Sequence, residues 1–119
     1  MLLTMMKSKL HKAVVTETEL EYEGSITIDE DLMEKANMLP YERVQVVNLN
    51  NGSRLETYII TGKRGSGVIC LNGPAARKAC VGDTVIIISY AQLTPEETKD
   101  HEPTVVLLNN DNQVTKIHH

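Results

Sequence analysis

The chain contains no tryptophan and no phenylalanine, and its only aromatic residues are four tyrosines. A core has to be assembled from Val, Ile, Leu, Met and Ala, which leaves each tyrosine a candidate for a specific task. Positive charge is also scarce: 12 Lys and Arg stand against 16 Asp and Glu, a net charge of −4. That balance opposes attraction to phosphate backbones and anionic membranes and argues against a nucleic-acid partner. No apolar run approaches the ~20 residues of a membrane-spanning helix. The opening M-L-L-T-M-M is too short for a signal sequence, and its positive charges follow it instead of preceding it. The expectation is a soluble, cytoplasmic protein with no membrane contact.

Ligand sets are equally sparse. Cys70 and Cys80 form a C-x9-C pair that fits neither zinc nor redox spacing, so both are expected as reduced, partly buried thiols. His118 and His119 cannot enclose an ion by themselves and read as a frayed terminus. No H-E-x-x-H, C-x-x-C or G-x-S-x-G is present, which removes the usual metal and serine-hydrolase routes.

What is present is a succession of short extended segments, and 119 residues suffice for a single domain on one core. Met6 to Val15 alternates apolar and polar residues and reads as a strand with Lys9 and His11 on one face. Ser25 to Ile28 is a second extended piece, followed by Asp29 as cap of a helix over about Asp31 to Asn37. Arg43–Asn48, Arg54–Thr61 and Gly67–Leu71 are successive strands, and Asn51-Gly52 is a strong hairpin signal between the first two. The loop from Gly62 to Gly67 lacks the P-loop pattern and is predicted to be a plain hairpin connection with Lys63 and Arg64 solvated. Asn72 to Lys78 reads as a turn into a short helix. The V-I-I-I centre of Thr84–Tyr90 predicts a strand buried on both faces. Pro95 to Glu102 is a charged connector, and Thr104–Leu108 a last strand before a polar tail. Many strands with two small helices suggest a closed barrel, because closure removes exposed sheet edges.

A Gly-Ser dipeptide such as Gly24-Ser25 is by itself an ordinary turn. Its surroundings are more specific. K-L-H at Lys9–His11, Y-E-G-S at Tyr22–Ser25, I-D at Ile28–Asp29, N-G-x-R-x-x-T-Y at Asn51–Tyr58, R-G-S at Arg64–Ser66, N-G-x-A-A at Asn72–Ala76 and V-G-D-x-V-I-I at Val81–Ile87 occur in fixed order. Together they resemble the aspartate 1-decarboxylases, a pyruvoyl-dependent family. The resemblance spans Lys9 to Tyr90 and is loose beyond.

It implies a mainly β protein, a double-psi β-barrel with short helices, assembled as a homotetramer. It also implies an inactive proenzyme that cuts itself at Gly24-Ser25 into a β chain, 1–24, and an α chain, 25–119. The Ser25 hydroxyl would attack the Gly24 carbonyl, and elimination and hydrolysis would leave a covalent pyruvoyl group at residue 25. That carbonyl would form a Schiff base with L-aspartate in place of pyridoxal phosphate, with no metal, and release CO2 and β-alanine for pantothenate and coenzyme A synthesis. Some members use an accessory protein for maturation. Carried over residue by residue, Thr57 polarises the Gly24 carbonyl, Asn72 assists processing, and Tyr58 is the proton donor. Lys9 and Arg54 bind the substrate carboxylates, and Thr57, Gly73, Pro74 and Ala75 line the pocket. His11 and Tyr22 form its wall or a neighbouring subunit's contribution.

Two features stand apart from the family pattern or from simple geometry. Many members have alanine where this chain has Pro74, which removes one backbone N–H. Strict alternation from Arg54 to Tyr58 also puts Thr57 on the opposite face from both, so either a bulge re-aims one residue or facing subunits divide the work. A non-enzymatic ligand-binding barrel and, more remotely, a nucleic-acid-binding barrel are the other readings of the same pattern.

Overall fold

The computed structural model describes all 119 residues, Met1 to His119. Nine strands form one sheet system: β1 Leu3–Val14, β2 Glu17–Glu19, β3 Ser25–Asp29, β4 Arg43–Asn48, β5 Arg54–Gly62, β6 Ile69–Asn72, β7 Thr84–Leu93, β8 Thr104–Leu108 and β9 Val114–His118. Helix α1 spans Glu30–Lys35, a 3-10 helix Gly73–Lys78, and a single turn, α2, Pro95–Thr98.

The strand order is β2-β6-β3-β5-β4-β7-β1-β8-β9. Because β2 is the continuation of β1, one length of chain serves both sides of the seam, and six staves close into a barrel with β8 and β9 appended beside β1. Two bulges in β1, between Met6 and Ser8 and between Leu10 and Ala13, make the bend possible. Lys12 takes the left-handed conformation at the second, with φ 65. Past the bend Val15 N–H donates to Asp83 O and Thr16 N–H to Ile69 O, each at 2.9 Å. Buried Asn112 stitches the seam: its amide accepts from Val14 N–H at 2.7 Å and donates to Val14 O at 2.9 Å and Gly67 O at 2.8 Å.

The interior is aliphatic, as the lack of Phe and Trp requires. Leu10, Ile26, Ile28, Val44, Val46, Ile59, Ile69, Leu71, Val85, Ile87 and Val106 are fully buried. In β4, β5 and β7 these residues alternate with less buried neighbours, the period-two pattern of a strand buried on one face, whereas all four residues of β6 are buried. Helix α1 covers one end with Leu32 and Met33 turned inward.

Several elements depart from expectation. Strand β4 has the expected bounds, and β5 runs one residue longer, joined to it by a turn in which Gly52 sits at φ 72. Helix α1 ends at Lys35, since Asn37 turns left-handed at φ 57. The segment expected at Gly67–Leu71 starts at Ile69 because Gly67 itself is left-handed, φ 71. The Gly62–Gly67 loop is no hairpin: β5 pairs with β3 and β4, whereas β6 pairs with β2 and β3. Arg64 is not merely solvated either, for it lies across the carboxylates of Glu30, Asp31 and Glu34 on α1. Strand β7 is buried on one face only, with Ile86 and Ile88 half-exposed outside the barrel. Val114 to His118, read as a polar tail, is a further strand on β8. Both cysteines are free; Cys70 is buried and Cys80 exposed.

Candidate functional site

Strands β3 and β6 pair antiparallel with Ser25 opposite Asn72 and Thr27 opposite Cys70. Alternation then puts these four side chains on one face of the two strands, while Ile26, Ile28, Ile69 and Leu71 turn into the barrel. Ser25 is fully buried and Asn72 nearly so. The Ser25 hydroxyl donates to Glu23 O at 2.9 Å and accepts from Asn72 Nδ2 at 3.0 Å. Asn72 Nδ2 also donates to Thr27 Oγ1 at 3.0 Å, and its Oδ1 accepts from the Cys70 thiol at 3.2 Å. Every polar group of this patch has a partner, which is the condition under which burial is tolerated.

Gly24 is held by Gly73. A Cβ built on Gly73 would lie 2.7 Å from Tyr22 O, 2.8 Å from Gly24 N and 2.9 Å from Gly24 Cα, and Gly73 has φ +61. Only glycine satisfies both constraints. On the other side, a Cβ on Gly24 would meet Pro74 Cδ at 3.3 Å. Pro74 therefore serves as a close apolar wall to the bond that follows Gly24.

A cavity of about 410 Å³ opens beside this bond, lined by Gly24, Leu55, Glu56, Thr57, Tyr58, Pro74, Ala75 and Lys78. Thr57 and Tyr58 thus border one space in a single chain although they leave β5 on opposite faces. Tyr58 also borders a second hollow with Tyr22, Glu23, Pro40, Tyr41, Ile60 and Thr61. There the Tyr41 and Tyr58 rings lie 6.4 Å apart.

Lys9, His11 and Arg54 stand elsewhere. Lys9 is opposite Ile88, Ile88 opposite Gln45, and Gln45 opposite Glu56. Lys9 is therefore three strand spacings, roughly 14 Å, from the β5 face that carries Arg54 and Tyr58. Arg54 is exposed and donates to Gln45 Oε1 at 3.2 Å, which also accepts from Tyr90 OH at 3.0 Å. His11 is half-buried on β1 with its Nδ1 enclosed and unpartnered. Burial, with Lys9 and Lys12 close by, holds its pKa below the usual histidine value.

Three contributors escaped the sequence reading. Thr27 and Cys70 lie two residues from Ser25 and Asn72, so strand periodicity alone could have flagged them. Lys78 reaches the cavity because its carbonyl is pinned by Asn48, Asn51 and Ser53 at 3.2, 2.9 and 3.0 Å. It is the one cation on that wall. No group of three or more His, Cys, Asp or Glu side chains is placed to hold a metal ion, and no helix is long and apolar enough to cross a membrane.

Comparison with known proteins follows the same lines. A rationally designed double-psi β-barrel matches with a TM-score of 0.50 at 14% identity, over 65% of this chain and 90% of that one, which identifies the barrel type. The proteins named aspartate 1-decarboxylase from Bacillus subtilis, Chloroherpeton thalassium and Salinibacter ruber are 61%, 62% and 60% identical. The matches cover 96%, 98% and 96% of this chain and 90%, 86% and 78% of those proteins. The family model described as aspartate decarboxylase matches residues 1–115, so the likeness runs past Tyr90 through β8 and into β9. With that span and those identities, the chain belongs to the aspartate decarboxylase family.

Proposed function

We propose that the chain is a proenzyme that cuts itself between Gly24 and Ser25 and then converts L-aspartate to β-alanine and CO2, supplying pantothenate biosynthesis in the cytoplasm. The observation that carries this reading is the fully buried Ser25 hydroxyl, held between Asn72 and the Glu23 carbonyl next to a glycine that Gly73 clamps.

In the cut, the Ser25 oxygen bonds to the Gly24 carbonyl carbon, the bond from that carbon to the Ser25 nitrogen breaks, and the nitrogen takes up the hydroxyl proton. Elimination from the resulting ester leaves the Gly24 carboxylate at the end of residues 1–24. Hydrolysis then releases ammonia and leaves a pyruvoyl group at position 25. Glycine at 24 presents a carbonyl without a side chain to hinder approach. Thr57, which borders the adjoining cavity, would polarise that carbonyl.

The pyruvoyl carbonyl supplies the electron sink that amino-acid decarboxylation requires. The chain's own groups do the remaining work. Tyr58 borders the same cavity as Gly24 and is the proton donor. Ala75, Gly73 and Pro74 keep the pocket small. Arg54 and Lys9 bind the two carboxylates; their separation within one chain calls for a neighbouring copy, and the family resemblance points to a homotetramer. A second copy laid on the outer face of β4, β5 and β7 would cover half-exposed Ile86 and Ile88 and deliver its cations to its neighbour's cavity. Tyr22 and His11 belong to the walls of that assembled site.

On a denaturing gel the purified protein should resolve into fragments 1–24 and 25–119, the larger with a blocked N-terminus, and should release CO2 from L-aspartate. Cleavage with nothing added would show that no maturation partner is required. Ser25→Ala should remain one folded, inactive chain; if it still decarboxylates aspartate, the pyruvoyl mechanism is wrong.

A further inference from the structure

Resting on the assignment of Arg54 as a partner of a substrate carboxylate, we infer that Gln45 is a positioning residue for substrate binding, holding the Arg54 guanidinium in place without neutralising it. Three adjacent strands, β5, β4 and β7, supply the arrangement. Gln45 on β4 is opposite Glu56 on β5 and Ile88 on β7, so Arg54 and Tyr90, each two residues from those partners, share its outer face. Long side chains at such diagonal positions can meet across a sheet. Here they do: Arg54 Nη1 and Tyr90 OH both donate to Gln45 Oε1, at 3.2 and 3.0 Å.

The glutamine amide has only one usable orientation. A guanidinium donates and never accepts, so the end of Gln45 that meets Arg54 must be its carbonyl oxygen. Tyr90 donates to the same atom and ties it a second time. Charge matters as much as geometry. Glu56 follows Arg54 on the same face of β5 but is paired with Arg43, and Arg54 itself forms no ion pair. A neutral acceptor thus restrains the guanidinium and leaves its positive charge for an incoming carboxylate. Without Gln45, the exposed Arg54 side chain would range over many rotamers, and binding each substrate molecule would have to order it.

Gln45 acts through Arg54, so its loss should cost less than the loss of Arg54. Removing one hydrogen bond of this kind should raise KM for L-aspartate by about threefold. The turnover number kcat should stay near that of the parent, because an ordered Arg54 binds substrate and transition state alike.

The test asks whether the effect of Gln45 depends on the presence of Arg54. Gln45→Met removes the acceptor at similar side-chain length. Decarboxylation of L-aspartate would be measured for the cleaved full-length parent, Gln45→Met, Arg54→Ala and the double variant. The expected result is a raised KM for Gln45→Met alone and no further rise when it is added to Arg54→Ala, where no guanidinium remains to be held. An unchanged KM for Gln45→Met, an equal rise in both backgrounds, or a fall in kcat in place of a rise in KM would overturn the inference. If Gln45→Met does not fold, Gln45→Leu asks the same question with the same outcomes. A parent chain that releases no CO2 would overturn the proposed function and this inference with it. A working parent whose KM ignores Gln45 would overturn the inference alone.

Discussion

Two faces of the same barrel treat polar groups in opposite ways. Over β3 and β6, Ser25, Thr27, Cys70 and Asn72 are packed together and each side chain has a hydrogen-bond partner within one chain. Over β1, β7, β4 and β5, the residues Lys9, Gln45, Arg54 and Tyr58 are spread among half-exposed isoleucines. The first region is finished and the second is not. On the proposed function, cleavage would draw on the first together with Thr57, whereas holding a small dicarboxylate between Lys9 and Arg54 would draw on the second and on a neighbouring copy. Preparation and use of the reactive group should then be separable by mutation.

The largest effect should come from Gly73→Ala, aimed at the finished face. A methyl group there would press on Tyr22 O and on Gly24 at 2.7–2.9 Å, in a left-handed conformation. We expect a loss of about 2–4 kcal/mol in urea unfolding together with failure to cleave. Normal cleavage in this variant would show that the clamp on Gly24 is not part of the chemistry.

Arg54→Ala addresses the unfinished face. It should cleave at the parent rate, because the Arg54 side chain hydrogen-bonds to Gln45 and not to the residues around Gly24, yet raise KM for L-aspartate by about tenfold or more through loss of a carboxylate partner. A defect in cleavage instead would join the two regions that the structure separates.

The smallest effect concerns pH. The fold holds His11 neutral more firmly than the unfolded chain does, so its pKa lies below 6.5 when folded. As pH falls through that value the unfolded chain takes up the proton first, and stability declines until the folded pKa is passed. Melting temperature followed from pH 7.5 downward should fall less steeply for His11→Gln than for the parent. Parallel curves would remove His11 from the account.

The strands were the most legible part of the fold. β4 lies between Pro40 and the Asn51-Gly52 turn, and local signals sufficed for its bounds. The last strand was not, because V-T-K-I-H has little apolar content and is stabilised by its partner β8. The role of the Gly62–Gly67 loop was hidden for a related reason. Its Gly65 and Gly67 N–H groups donate to the Asp29 carboxylate at 3.0 and 2.8 Å, across more than thirty residues of chain. Asp29 was legible as the cap of α1, where Asp31 N–H donates to it at 2.8 Å, but not as the anchor of that loop. At the site, the identities of Ser25, Thr57 and Tyr58 came from resemblance. The cavity that Thr57 and Tyr58 share with Gly24 follows from barrel closure, which no local pattern encodes, and Cys70 entered only once the β3–β6 register was known.

The continuity of β1 and β2 has a further consequence for a molecule cut after residue 24. Fragment 1–24 would supply a whole stave, with β1 lying between β7 and β8 and β2 pairing with β6. Severing the peptide would not release it, but it would turn folding from a reaction of one molecule into the meeting of two. Once melted, such a barrel would reassemble only as fast as its pieces collide, and its melting temperature would rise with protein concentration. The uncut precursor, with both ends of the seam on one thread, would melt independently of dilution as long as it stays monomeric.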